Sequence, residues 1–348
     1  MPAAPTSSSS AAKPPVESLD ALRRRESVRA GLLRIARRQV ADALQRIEHP
    51  KKDDRTEDIH QVRVQGKRLR ALLRLLKPVT NVDAVQRETA RLRDMGRALS
   101  AFRDAFVAGE TLKRVFEDAA PRRMSDAARL LGVRPPAKNR REDLAVSLKD
   151  SAKTLRRTAN EIRRLPISAR GWAAIAPGLE KSYHRARADY KRCAKRGTGH
   201  LGDCFHDWRK RVKDLVYQME VLANVPAPEM KRVRKDFHRL GSWLGDDHDY
   251  LVFAAQVRDR EKHYEELANF RPVRKRLKRR LKVLRAKEFA LARALFADKP
   301  GVWITRLYDY WRVWKYPDAG MVITIERTEL TPAQPPRSVG ATPMITVE

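Results

Sequence analysis

Two stretches of this chain carry the same set of polar side chains at the same spacing. His60, Arg63, Lys67 and Leu69 read H-x-x-R-x-x-x-K-x-L, and His206, Arg209, Lys213 and Leu215 repeat that string. At nearly the same offset, Gly96-x-x-Leu99-x-x-x-x-Asp104 is answered by Gly241-x-x-Leu244-x-x-x-x-Asp249. Two matches in one order identify a tandem duplication, the first thing to seek in a chain of this length. The chemistry of the first string is anion capture. Arginine offers a planar fork that fits phosphate oxygens in pairs, lysine adds a mobile point charge, and histidine donates a hydrogen bond when neutral or a charge when an anion raises its pKa.

Helical geometry arranges these groups. At about 100° per residue, His60, Arg63, Lys67, Arg70 and Arg74 fall within an arc of roughly 80°. Val62, Leu69, Leu72, Leu73 and Leu76 cluster on the other side. In the second copy His206, Arg209 and Lys213 form a shorter stripe, backed by Trp208, Val212, Leu215, Met219 and Leu222. A basic helical face is most often a solvated surface. Two features point to a site instead: few acids interrupt the first stripe to form i, i+4 pairs, and a histidine heads both copies. A pseudo-twofold arrangement would turn both stripes toward one surface or channel.

Other constellations do not add up to chemistry. Gly197-x-Gly199-x-x-Gly202 fits a dinucleotide fingerprint by letter but follows KRCAKR, a helix end rather than a strand. Cys193, Cys204 and His206 match no zinc spacing, and buried cysteines acting as small hydrophobes are the expectation. A metal held between His60 and His206 would be repelled by the flanking Arg and Lys. His248-Asp249 stands beside no conspicuous nucleophile, and no carboxylates cluster to hold a divalent metal for phosphate-anhydride chemistry. The expectation is a non-enzyme with no cofactor and no metal.

The elements that must position the stripes follow from composition and periodicity. The chain of 348 residues has 75 Lys and Arg against 43 Asp and Glu, a formal net charge of +32. Such a chain repels itself unless counterions or an anionic partner are at hand, so nucleic acid, an anionic membrane surface and polyphosphate are the candidate partners. Hydrophobic residues at 42% suffice for a packed interior. Two cysteines imply no disulfide framework and fit a reducing cytoplasm. No apolar run is long enough to span a bilayer, so no membrane insertion is expected. MPAAPTSSSSAAKPP lacks the features of a secretory signal and reads, over residues 1–16, as a flexible tail.

Strand signals are almost absent, and the predicted fold is all-α. Helices are expected over 17–49, 56–77, 82–119, 141–165, 169–196, 203–224, 227–263 and 267–297, with a short helix and loop over 121–136. These divide into a first helical half, 17–165, and a second, 166–297. Beyond residue 298, Trp303, Trp311 and Trp314 mark a terminal helix whose aromatic face docks on the bundle, with base stacking as the alternative. A Pro-rich tail containing the strand-like MVITIE (321–326) follows.

At these residues the sequence resembles the CHAD domain, named for its recurrent histidines in an alpha-helical fold. IHQVRVQGKRLRALLRLL (59–76) and RDMGRALSAFRDAFV (93–107) resemble its first half. GLEKSYHRARADY (178–190), FHDWRKRVKDLVYQMEVL (205–222) and LGSWLGDDHDYLVF (240–253) resemble its second. The resemblance implies two antiparallel helical bundles related by a pseudo-twofold around a basic groove or cavity, binding of inorganic polyphosphate, and association with polyphosphate granules. Carried over position by position, it implies phosphate contacts at His60, Arg63, Lys67, Arg68, Arg70, His206, Arg209, Lys210 and Lys213, with Tyr183, Arg185 and Arg187 as secondary candidates. It assigns Asp104 and Asp249 to orienting basic neighbours. Gly66 departs from the family pattern, and a mid-helix glycine, costing about 1 kcal/mol against alanine, suggests close helix packing. The triphosphatase tunnel fused to some members has the signature E-x-E-x-K, which does not occur here. Nucleic acid remains the weaker competing partner, since the stripes are poor in the aromatics that stack bases.

Overall fold

The computed structural model describes residues 17–50, 55–100, 102, 111, 113–115, 117, 140–196, 202–263 and 270–317. Asp104, the helix and loop expected over 121–136, most of 99–119, the loop glycines Gly197 and Gly199, and MVITIE lie outside the described residues. The described residues form helices and turns with no strand among them. The helices are α1 (Val28–Glu48), α2 (Arg55–Leu76), α3 (Val82–Ala98), α4 (Arg140–Arg164), α5 (Ala176–Arg196), α6 (Gly202–Glu220), α7 (Pro228–His263), α8 (Phe270–Leu295) and α9 (Pro300–Lys315), with single 3₁₀ turns at Lys77–Val79 and Gly171–Ala174. One compact unit ends at Lys315, and a second unit runs from Tyr316 to Glu348.

Local chemistry sets the boundaries. Ser27 caps α1 by accepting from the Ala30 amide at 3.2 Å, and Asn81 caps α3 by accepting from Ala84 at 2.9 Å. Pro78 converts the end of α2 into a 3₁₀ turn. The expectation of a helix beginning at residue 17 fails, because 17–27 has other partners. Arg34 draws the carbonyls of Leu19 and Ala21 (both 2.6 Å). The Leu22 amide donates to the Val221 carbonyl at 2.9 Å. Asn224 bonds both the amide and the carbonyl of Ser18. A segment whose backbone groups are spent on distant partners has none left for a helical ladder. The stretch expected to be helical up to 224 likewise ends at 220, where turns carry the Val221 carbonyl toward Leu22.

Apolar faces pack into one continuous core. Leu69, Leu72, Leu73 and Leu76 of α2 and Trp208, Val212, Leu215, Met219 and Leu222 of the second copy are all buried, as the helical spacing requires. Helix α2 packs against α1, α3, α5 and α6, so it is the hub of the bundle. Its approach to α5 is close: a Cβ on Gly178 would overlap the Leu75 backbone carbonyl. Gly66 is a milder case, where a Cβ would meet the terminal methyl of Met95 at 2.7 Å. Between α2 and α6, the buried Gln218 side chain donates to the Ala71 carbonyl at 3.0 Å. Helix α9 lies on α5, with Trp303 stacked on Tyr183 at 4.3 Å and Trp311 against Trp172 at 5.5 Å.

Candidate functional site

Because α2 and α6 pack side by side, their polar faces meet. A cavity of about 390 Å³ lies there, lined from α2 by His60, Val64, Lys67, Arg70 and Arg74. Helix α6 supplies Arg209, Lys210, Arg211, Lys213, Asp214 and Tyr217, and α7 adds Ser242, Gly245, Asp246 and Asp249. Eight cations or potential cations thus face three carboxylates, all three from α6 and α7.

The acids are committed to basic neighbours. Asp214 takes both its hydrogen bonds from Arg74 Nη1, at 2.5 and 2.6 Å across the helix–helix boundary. Burial pushes its carboxyl pKa up, while Arg74 and Arg70 pull it back. Asp246 pairs with Arg114. Asp249 receives Arg114 at 3.3 Å and lies 3.5 Å from His248 Nδ1. Burial raises the Asp249 pKa, but the hydrogen bonds from His248 and Arg114 outweigh it and the net shift is downward. Asp249 therefore sits among basic side chains, as the resemblance implies.

The cations feel the opposite pressure. Burial, reinforced by the like charges of neighbouring arginines, holds Arg70 and Lys213 below their ordinary values. Gly241 lies beneath the Lys213 stem: a Cβ there would stand 3.2 Å from Val216 Cγ2 and 3.6 Å from Lys213 Cδ. Tyr217 is pushed up to about 12 by burial and then by Glu220, so its phenol keeps its proton and can donate. Half-buried cations that lose water and repel one another are stabilised by an incoming anion. A second cavity of about 290 Å³ adjoins the first and shares Arg74, Arg211 and Asp214 with it; its remaining basic lining is Lys77, Arg93, Lys181 and Arg185.

The structure brings together His60, Lys67, Arg70, Arg74, Arg209, Lys210 and Lys213, all named from sequence. Others are placed elsewhere. Arg63 is half-buried on α2 but outside the lining of the cavity. Arg68 is outside the lining; it lies over the Tyr217 ring and bridges Asp20 and Glu220, both at 3.2 Å, fastening the 17–27 segment to α6. His206 is exposed and stacks on His248 with ring centroids 5.5 Å apart. Burial, then Lys210, His248 and Arg209, lowers its pKa, favouring the neutral ring.

Tyr183 is a correction to the set implied by the resemblance. It is fully buried, and its one phenolic proton is shared between the Leu295 and Asp298 carbonyls, each at 3.1 Å. A phenol so committed has nothing to offer an anion. Arg187 is spent in the same place, donating from Nε to the Phe296 carbonyl at 2.9 Å, while Arg185 lines the second cavity. Cys193 and Cys204 are buried and form no disulfide, as small hydrophobes should be. Sequence reasoning missed Arg211, Asp214, Tyr217, Ser242 and Asp246. Of these, Asp214 and Tyr217 carry a signal, since they continue the Lys210 row at i+4 and i+7. Among the described residues no group of histidines, cysteines and carboxylates is placed to hold a metal ion.

Known proteins place this geometry in context. The sequence matches the CHAD domain family over residues 34–258. The crystal structure of the CHAD domain from the plant Ricinus communis superposes with a TM-score of 0.53 at 15% sequence identity, covering 82% of this chain and 97% of that one. At that identity the likeness concerns the fold. No curated protein matches the sequence.

Proposed function

The chain belongs to the CHAD domain family, and from that premise we propose that it captures inorganic polyphosphate, without catalysis, in the basic cavity between α2 and α6. The observation that carries this reading is that Lys67 of the first string and Arg209 and Lys213 of the second line one cavity. Each polyphosphate unit carries charge, so a chain laid along the groove meets α2 cations on one wall and α6 cations on the other. The duplicated strings would then act as two halves of one central groove related by a pseudo-twofold. Desolvated arginines and lysines forming charge-assisted hydrogen bonds to phosphate oxygens supply the affinity, and counterion release makes it fall with salt.

Among the described residues Tyr217 is the one Phe, Tyr or Trp side chain of the lining. A groove for single-stranded nucleic acid would present several rings on which bases stack, so the lining favours a polymer without bases. Retention at polyphosphate granules in the cytoplasm is the cellular role that follows. No helix among the described residues is long and apolar enough to cross a membrane.

Titration calorimetry of the full chain with long-chain polyphosphate at physiological salt tests the reading, with single-stranded nucleic acid as competitor. Tight binding is expected for the wild type, with heavy loss in Arg209→Ala/Lys213→Ala and no displacement by the competitor. Undiminished binding by that variant, with helicity intact, would overturn it.

A further inference from the structure

The most basic uninterrupted stretch of the chain lies apart from the cavity. Residues 270–287, FRPVRKRLKRRLKVLRAK, contain no acidic residue and form the first part of α8. The region matched to the family ends at residue 258, before α8 begins. Arg271, Lys275, Lys278, Arg279 and Lys282 are all exposed, and their spacing puts them in an arc of roughly 100° on one face. Val273 and Leu277 point the other way and are buried, where α8 packs on α7.

The cations at the inner edge of α8 are tied to the body: Arg285 donates to Asp247 at 2.7 Å and Arg280 lies 3.8 Å from Glu117. The five outward ones have no ion-pair partner among the described residues. That sets α8 apart from its neighbours. Helices α3, α4, α5, α6 and α7 each balance exposed cations with acids one turn away, in Arg97–Asp94, Lys153–Asp150, Arg192–Asp189, Lys210–Asp207 and Arg239–Asp236. Like charges at this spacing repel, and an anionic partner relieves that repulsion.

We propose that this face of α8 docks on the phosphate backbone of duplex nucleic acid, independently of base sequence and of the cavity. The stripe from Arg271 to Lys282 is about 16 Å long. A helix about 10–12 Å across fits a major groove about 12 Å wide, and a charged arc of this width reaches the phosphates on its rims. The face offers Arg and Lys alone, and where these meet the phosphates along the groove rims their contacts position without specifying sequence. Membrane insertion needs a broad exposed apolar side, and here Val273 and Leu277 are spent on α7, leaving Val283 as the lone exposed large apolar side chain of α8. A flexible phosphate polymer gains most from a concave cavity, whereas a single convex helix suits a stiff partner that brings its own groove. With the cavity occupied by polyphosphate, such a chain would tether a duplex to a polyphosphate body.

The test uses the full chain, a labelled duplex of about 20 base pairs with arbitrary sequence, and fluorescence anisotropy over a salt series. In Lys275→Gln/Lys278→Gln/Arg279→Gln/Lys282→Gln, duplex affinity should fall at least about tenfold and the log–log salt slope should flatten by about 3–4. Helicity and polyphosphate binding should stay as in the wild type. An unchanged duplex affinity and slope overturns the proposal, as does absence of duplex binding by the wild type. Parallel loss of polyphosphate and duplex in this variant also overturns it, since α8 would then be a non-selective polyanion face. Arg209→Ala/Lys213→Ala should leave duplex binding intact; a loss equal to that of the α8 variant puts the duplex in the cavity and sinks the idea. Failure of the wild type to bind polyphosphate would remove the cavity reading alone.

Discussion

The two copies of the duplicated string share letters but not electrostatics. Helix α2 contributes His60, Lys67, Arg70 and Arg74 to the cavity and no acid. Helices α6 and α7 contribute Arg209, Lys210, Arg211 and Lys213 together with Asp214, Asp246 and Asp249. The histidines part ways too, His60 lining the cavity while His206 stacks outside it on His248. Even the repeated glycine differs: Gly241 is pressed beneath Lys213 and Val216, whereas a Cβ on Gly96 would meet nothing within 4 Å. The lesson is that the two strings repeat cations, while among the described residues the acids of the lining come from α6 and α7 alone. The ionisable groups of the α2 wall are all basic, and the α6–α7 wall supplies cations together with acids.

The largest test of that contrast removes two cations from each wall. Lys67→Ala/Arg70→Ala should weaken polyphosphate binding about 100-fold, at about 1.4 kcal/mol per charge-assisted contact. Arg209→Ala/Lys213→Ala should cost more, about 1000-fold, because it also exposes the anion to Asp246 and Asp249. Equal losses measured by calorimetry would erase the asymmetry.

The packing behind the α2 wall can be attacked through stability. Gly178→Ala drives a methyl into the Leu75 backbone and should destabilise by roughly 3 kcal/mol, read by chemical denaturation. Gly66→Ala, facing only the flexible end of Met95, should be near neutral.

Buried acids sharpen the comparison further. In the first half Glu88 accepts from Arg91 and Thr158, whereas in the second Glu288 is fully buried with neither oxygen hydrogen-bonded in the described structure. Burial, then the neighbouring Asp247, pushes the Glu288 pKa up to about 9. The folded state therefore holds a proton that the unfolded state releases near 4.5, and stability falls as pH rises between those values. Glu288→Gln should remove about 2.5 kcal/mol of that fall between pH 5 and 7, seen as a flatter denaturation profile than the wild type's.

Smaller effects concern tuning within the cavity. Asp214→Asn releases Arg74 and should tighten polyphosphate binding about tenfold at some cost in stability; weaker binding would mean that Asp214 positions Arg74 rather than competing for it. The last is a pH effect. Lys213 sits below its ordinary pKa, first through burial and then through Arg209, and a bound polyanion would raise it again. Binding then takes up a proton, so affinity should decline severalfold as pH rises through the depressed value, while Lys213→Arg should give a flatter profile.

Much of this was legible from periodicity. Apolar residues at i, i+3 and i+4 fixed the buried sides of α2 and α6, and Pro78, Ser27 and Asn81 carry boundary chemistry that needs no tertiary knowledge. The expected helix at 17–27 failed because Arg34, Asn224 and Val221, remote in sequence, claim its backbone groups. Tyr183 matched the family motif yet proved to be a core residue, because a motif position says nothing of which carbonyls lie above the ring.

The sequence by itself determined the all-α class and the two cationic strings, because helical periodicity and charge are local properties of the chain. It also determined the acid-free stretch of α8. Only the tertiary structure decided that α2 and α6 share a cavity, that Arg68 and Arg187 are spent on distant partners, and that Asp214 faces Arg74. Those outcomes depend on which faces meet when helices far apart in sequence pack, and no spacing within one helix encodes that.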